Sequence, residues 1–120
     1  MSSERRVVVT GLGTVSPLGN DIDTTWANIT KGISGAASIT KFDTSEFATT
    51  FAAELKGYDE ISGLSPKEKR RIDPFAQYAL TASDPAIKDA NLSLENIDNT
   101  RIGVSIGSGI GGLGSIENNA

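Results

Sequence analysis

One group of side chains in this sequence has the charge and spacing to bind an anionic partner. Lys67, Lys69, Arg70 and Arg71 form a basic cluster in a chain of 120 residues whose formal net charge is −4. On a helix, Lys67, Arg70 and Arg71 fall at positions i, i+3 and i+4, so their side chains share one face. Such a face can bind an acidic partner, or it can be an ordinary solvated helix face. The residues alone leave both interpretations open.

A glycine-rich segment is the second feature with possible chemistry. Residues 107–112 read GSGIGG, which satisfies the G-x-G-x-x-G pattern and follows the apolar run 102–106. One function that this pattern indicates is binding of a dinucleotide pyrophosphate at a helix N-terminus. The alternative is a tight loop in which glycines let backbone segments approach closely. Gly11 and Gly13 fail the pattern because Ser16 occupies its third position, so we interpret them as structural glycines at the end of a strand.

The composition excludes several kinds of site within these residues. The chain contains no cysteine and no histidine, which removes thiolate metal sites, a thiol nucleophile and the commonest general base. The carboxylates are scattered, so we expect no metal site and no catalytic dyad. The negative net charge argues against wholesale binding of nucleic acid or of an anionic membrane. No secretory h-region and no run of transmembrane length is present, and we therefore expect a cytoplasmic protein.

The elements that must position these residues are predicted to alternate between strand and helix. Apolar, β-branched runs predict strands at 6–10 and 102–106, and a shorter strand is expected at 51–55. A helix is predicted near 21–31 from the spacing of its apolar residues. Ser65 and Glu68 form a capping box with Pro66 between them, which predicts a short helix through Arg71. A longer helix is expected from Asp73-Pro74 to Asn91.

Pro85 falls inside that longer helix. Proline removes one helical hydrogen bond and clashes with the preceding turn, which costs about 3 kcal/mol. Asp84-Pro85 can therefore also mark the start of a new helix.

Several separate motifs, in order along the chain, resemble the β-ketoacyl-acyl carrier protein synthase family, and in particular its synthase II members. These are the elongating condensing enzymes of bacterial type II fatty-acid synthesis. The motifs are RRVVVTGLG at 5–13 with SPLG at 16–19, FDTS at 42–45, KEKRRID at 67–73 and IGSGIGG at 106–112. We therefore expect residues 1–120 to be the N-terminal part of the β-ketoacyl synthase N-terminal domain, within a longer chain.

The resemblance implies a fold, a reaction and partners. The fold is the α/β, thiolase-like arrangement with α-β-α-β-α layers, of which these residues would form part of the N-terminal half. The reaction joins an acyl-enzyme thioester to malonyl-acyl carrier protein with loss of CO2, and it uses a cysteine, two histidines and a lysine that these residues do not include. We therefore expect the 120 residues to be inactive alone, to need no cofactor, and to belong to a homodimer that binds acyl carrier protein.

Two roles carry over from the family to individual residues. Ile110 matches the position at the floor of the acyl pocket, where a branched side chain gates chain entry. Lys67, Arg70 and Arg71 match positions that face the acidic acyl carrier protein. Pro85 departs from the pattern, since the family's helix continues there without proline. Two other functions stay open: a non-catalytic partner of the chain-length-factor type, and a nucleotide-binding module.

Overall fold

The computed structural model describes residues 4–93, 95 and 97–120. Five α-helices lie in these residues: α1 (Ile22–Thr30), α2 (Tyr58–Ile61), α3 (Pro66–Lys69), α4 (Pro74–Asp89) and α5 (Leu113–Asn119). Two short strands, β1 (Ala37–Ser38) and β2 (Phe51–Ala52), pair in antiparallel fashion. A single turn of 3-10 helix, Asn99–Arg101, precedes the second apolar run.

The predicted first helix is confirmed as α1, and its start has a clear cause. The Asp21 carboxylate accepts hydrogen bonds from the Thr24 amide at 2.7 Å and from the Thr24 hydroxyl at 2.8 Å. These bonds satisfy a free amide of the first turn and hold the pKa of Asp21 below its usual range. The helix is followed by Gly32, which adopts a left-handed φ of 67° that glycine tolerates.

The longer helix predicted from Asp73-Pro74 is confirmed and runs through Pro85 without a break, so the alternative of a new helix at Asp84-Pro85 is not the one observed. Helix α4 spans sixteen residues with Pro85 in its interior. One turn before the proline, the Thr81 hydroxyl donates to the Gln77 carbonyl at 2.9 Å, and the Ser83 hydroxyl donates to the Ala79 carbonyl at 2.7 Å. Neighbouring backbone packs on α4 at Ala82 and Ala86, beside the proline, and tertiary packing of this kind can override a local helix preference.

Gly11 and Gly13 pack directly on the backbone of α4. A Cβ built on Gly13 would lie 2.9 Å from the Ala86 amide nitrogen, and it would also contact the Ala82 carbonyl oxygen. Next to them, the Leu12 amide donates to the Asp89 carboxylate at 2.9 Å. Neither glycine has a positive φ, so what these positions require is a close approach between two backbones. The prediction that they are structural agrees with this packing.

The predicted strands at 6–10 and 102–106 are wrong for the structure as described. Neither run pairs with another described segment, and Val7 is 90% and Val104 85% exposed. β-Branched residues favour an extended backbone, whereas a strand also needs a neighbour that completes its hydrogen bonds, and no described segment takes that place. The predicted strand at 51–55 is confirmed only at its first two residues, because β1 itself offers just two partners.

The described residues do not close around an apolar core. None of their apolar side chains is fully buried, and many large ones are exposed. The radius of gyration is 18.1 Å, against about 14 Å for a compact domain of this length. Much of the apolar surface of the described residues is therefore open to contact with other molecules. Among the helices that the structure describes, none has the length and apolar character to span a membrane.

Candidate functional site

Helix α3 begins with a complete capping box. The Ser65 hydroxyl oxygen accepts from the Glu68 amide at 3.3 Å, and the Glu68 carboxylate accepts from the Ser65 amide at 2.9 Å and from its hydroxyl at 2.6 Å. The hydroxyl and amide of Ser65 together hold the pKa of Glu68 below its usual range. The predicted box is confirmed, and it starts a helix that carries the basic cluster.

Within the residues that the structure describes, the basic cluster contains one cation in an ion pair and three without one. The Lys69 ammonium binds the Asp59 carboxylate at 2.8 Å and lies 5.7 Å from the centre of the Tyr58 ring. The other three side chains are exposed, and within the part of the chain that the structure describes they form no ion pair; we call this set, Lys67, Arg70 and Arg71, the docking patch. Three exposed cations, each without an ion pair to any described residue, thus lie in or directly after this short helix.

The end of α3 differs slightly from the prediction. The helix stops at Lys69, with Arg70 as its C-cap in a right-handed conformation, so Arg71 lies just beyond the helix. The Arg70 Nε also donates to the Pro66 carbonyl at 3.2 Å, which ties its side chain along the helix. Lys67 therefore lies within α3, Arg70 caps it and Arg71 follows it, so only the first two of the three predicted docking residues belong to the helix or its cap.

The buried Gln77 side chain stabilises the C-terminal end of α3, a role that the sequence did not predict. Its side chain is only 8% exposed, and its amide donates to the Lys69 carbonyl at 2.9 Å and to the Ile72 carbonyl at 2.8 Å. Carbonyls at a helix C-terminus lack helical partners, so a buried amide that reaches them fixes the path of the chain between α3 and α4. No local sequence pattern predicts these hydrogen bonds, because Gln77 lies five and eight residues from the residues whose carbonyls it binds.

The glycine-rich segment is held against the start of α4. Asp73 precedes α4, as predicted, but its carboxylate makes no cap bond to that helix. It accepts instead from the hydroxyl of Ser115 in the first turn of α5, and a Cβ on Gly112 would lie 2.6 Å from the Asp73 Cγ. The region in front of α5, where a bound pyrophosphate would have to lie, is thus taken by a carboxylate. This arrangement disfavours the nucleotide-binding alternative.

Ile110 lies on the exposed part of the same segment. Its side chain is 73% exposed, and Gly111 next to it has a φ of 78°, a conformation that suits glycine. The Ser108 hydroxyl oxygen accepts from the Gly111 amide at 3.0 Å, which shapes the turn. A half-open apolar cavity of about 400 Å³ lies between α4 and this segment, with Phe75 and Ile106 in its walls. Ile110 does not line that cavity, and its role at the floor of an acyl pocket stays a prediction.

Comparison with known proteins identifies the family to which this chain is similar. The model of the β-ketoacyl synthase N-terminal domain matches residues 4–120. The chain is 47% identical over 117 residues to the 3-oxoacyl-[acyl-carrier-protein] synthase 2 of Staphylococcus aureus (strain N315), covering 98% of this chain and 28% of that protein. It is 46% identical over 115 residues to the protein of the same name from Vibrio cholerae serotype O1, covering 96% of this chain and 28% of the relative.

A solved structure described as the ishigamide ketosynthase/chain length factor is also similar. It matches with a TM-score of 0.66 and 33% sequence identity, over 78% of this chain and 23% of that one. The match confirms the predicted α/β, thiolase-like fold for this part of the N-terminal half. The chain spans just over a quarter of the length of the curated relatives that it matches. Taken together, the four motifs, the fold and the match over nearly every residue show that this chain belongs to the β-ketoacyl synthase family.

Proposed function

We propose that these residues are the N-terminal part of the N-terminal domain of a β-ketoacyl-acyl carrier protein synthase that elongates fatty acids. The observation that carries the proposal is the 47% identity over 117 residues to a 3-oxoacyl-[acyl-carrier-protein] synthase 2. In the proposed reaction, the thioester between an acyl chain and the enzyme's cysteine is attacked by the carbanion that malonyl-carrier protein forms as it loses CO2. The new carbon–carbon bond gives β-ketoacyl-carrier protein and frees the cysteine thiol.

The contribution of this chain to that reaction would be binding and orientation. With no thiol and no imidazole, these residues cannot form the acyl-enzyme or stabilise the carbanion through histidine. The docking patch supplies three exposed cations with no described ion pair, which suits attraction of a strongly acidic carrier protein. Homodimerisation and a cytoplasmic location belong to the same proposal, and the exposed apolar faces offer the area that a dimer and the rest of the chain would cover.

Ile110 is proposed to limit the length of the acyl chain. A substitution to phenylalanine adds volume to a packed apolar pocket, which typically costs about 1–3 kcal/mol when the space is needed. In the complete enzyme, Ile110→Phe is expected to spare short primers and to lower kcat/KM for long ones about tenfold or more. Equal losses for short and long primers would remove Ile110 from the pocket.

A second candidate function is a non-catalytic partner of the chain-length-factor type. It is favoured by one observation, the structural similarity to a ketosynthase/chain length factor at 33% identity. Such a partner would keep the fold and pair with a true ketosynthase but would carry no acyl chain itself.

Covalent loading separates the two candidates. The complete protein is incubated with acyl-carrier protein and then analysed by mass spectrometry under denaturing conditions. A condensing enzyme gains the mass of the acyl group on a cysteine, and a chain-length-factor partner stays unmodified. Residues 1–120 alone serve as the matched control and are expected to remain unmodified, because they contain no thiol. A stable acyl adduct on that isolated segment would contradict the assignment of these residues to binding and orientation.

A further inference from the structure

The carboxylate of Asp73 precedes helix α4 but does not form the hydrogen bond that an aspartate at this position usually makes. Aspartate at the residue before a helix normally accepts a hydrogen bond from the first turn of that helix. Here the side chain makes no such bond to α4, although Pro74 and Phe75 begin that helix directly after it. The carboxylate instead accepts from the hydroxyl of Ser115, which lies 42 residues further along the chain and is half-buried.

The same contact fixes the glycine-rich segment at its C-terminal end. Gly112 lies so close to the carboxylate that a side chain there would overlap it, with its Cβ 2.6 Å from the Asp73 Cγ. One residue earlier, a Cβ on Gly111 would lie 3.9 Å from the Phe75 ring. The two glycines before α5 therefore lie against the N-cap residue and the first turn of α4, and Ile110 immediately precedes them.

We infer that Asp73 and Ser115 form a positioning pair that fixes the glycine-rich segment on α4 and thereby sets how closely Ile110 limits the acyl chain. The inference rests on the proposed function, since it assumes that Ile110 meets the acyl chain. In this inference both residues act on the acyl chain only through the position of Ile110. Their hydrogen bond involves a charged acceptor in a half-buried setting, where such bonds are stronger than those between neutral groups.

The test measures acyl-chain selectivity in the complete enzyme rather than overall activity. Values of kcat/KM are determined for a short acyl primer and for a long one that the wild-type enzyme uses poorly but measurably, and the ratio between them is compared. Ser115→Ala is expected to reduce the discrimination between the two primers about tenfold, the equivalent of one charge-assisted hydrogen bond. Ser115→Thr restores the hydroxyl and is expected to restore the discrimination.

Two further variants show whether the pair acts as one unit. Asp73→Ala should reduce discrimination between the primers as Ser115→Ala does. The double variant should reduce it no further than either single change, because each change alone breaks the same hydrogen bond. Ser83→Ala is the matched control. It removes a half-buried serine hydroxyl whose bond stays within α4, and it should leave the ratio at its wild-type value. Thermal unfolding of each variant confirms that the enzymes compared are folded.

The outcomes separate this inference from the function on which it rests. If Ile110→Phe shifts the ratio while Ser115→Ala does not, the positioning pair is overturned and the acyl-pocket assignment stands. An equal fall in kcat/KM for both primers in Ser115→Ala also overturns it, because that result indicates a merely structural bond. If Ile110→Phe leaves the ratio unchanged, the pocket assignment itself fails, and the inference fails with it. Loss of discrimination in Ser115→Ala with rescue in Ser115→Thr supports the pair.

Discussion

Reversing the charge of the docking patch should weaken binding of the carrier protein and leave the chemistry intact. The three side chains are exposed, and none forms an ion pair within the described residues, so their replacement breaks no internal salt bridge there. Arg70 does donate one bond to the Pro66 carbonyl, but that acceptor is exposed and can bind water instead. The variant Lys67→Glu/Arg70→Glu/Arg71→Glu therefore tests recognition with little effect on folding.

The size of the effect follows from the exposure of these cations. An exposed ion pair contributes about 0.2–1 kcal/mol, so losing three pairs at about 0.5 kcal/mol each raises KM roughly tenfold. Reversal adds repulsion of similar size, which brings the expected increase to about a hundredfold at low salt. At about 1 M salt the Debye length falls to about 3 Å, so wild type and variant should converge to within a few-fold.

The assay compares two substrates in the complete enzyme. KM and kcat are measured with acyl-carrier protein and with a small acyl-thioester that needs no carrier, at low and high salt. In the charge-reversed variant, KM should rise only for the carrier-bound substrate. A matched variant, Lys31→Glu/Lys88→Glu/Arg101→Glu, makes the same change in net charge at exposed cations away from α3 and should behave nearly as wild type.

Three results would contradict the role of the patch. Equal losses for both substrates would show that the patch supports the structure of the enzyme. Unchanged kinetics with either substrate would show that it is a solvated helix face. Equal weakening by the matched variant would show that only net charge matters.

The remaining predictions concern the elements that hold the site in place, each measured as a change in unfolding of the complete protein. Gly13→Ala should lower the free energy of unfolding in urea by about 3 kcal/mol or more, because the new Cβ would overlap the α4 backbone. Gly114→Ala is the control: its Cβ would meet open space, so the free energy of unfolding should hardly change. Gln77→Leu should cost about 2 kcal/mol by leaving two carbonyls unpaired; an unchanged urea midpoint would refute the support that this side chain gives. Folding lowers the pKa of Glu68, so the ionised carboxylate should stabilise the fold above about pH 5, and this contribution should be lost as the pH falls below about 4. The thermal midpoint of the wild type should therefore exceed that of Glu68→Gln near neutral pH, and the difference should vanish in acid. An advantage that persists in acid would contradict that assignment.

Local chemistry made much of this chain predictable. The capping box at Ser65 and the first helix were predicted from side chains that act within three or four residues of themselves, and both are confirmed. The exposure of Lys67, Arg70 and Arg71 agrees with a solvent-facing basic cluster, and their role in docking stays a prediction. Family resemblance then supplied the fold, which periodicity alone could not.

The features that could not be predicted all depend on distant partners. An extended, β-branched run becomes a strand only beside a neighbour, and nothing within 6–10 or 102–106 says whether one is present. Asp73 matches a helix-start signal, yet its carboxylate binds Ser115, far along the chain. Pro85 was expected to be able to end a helix, but tertiary packing of Gly11 and Gly13 on the same helix outweighs its local preference.

The most direct test of the central claim is the reaction itself. The complete protein that contains these residues is supplied with acyl-carrier protein and labelled malonyl-carrier protein, and both CO2 release and the carrier-bound product are measured. An elongated β-ketoacyl-carrier protein, formed in step with CO2, is expected. Absence of any elongated product, in a folded protein that does bind carrier protein, would contradict assignment of this chain to an elongating condensing enzyme.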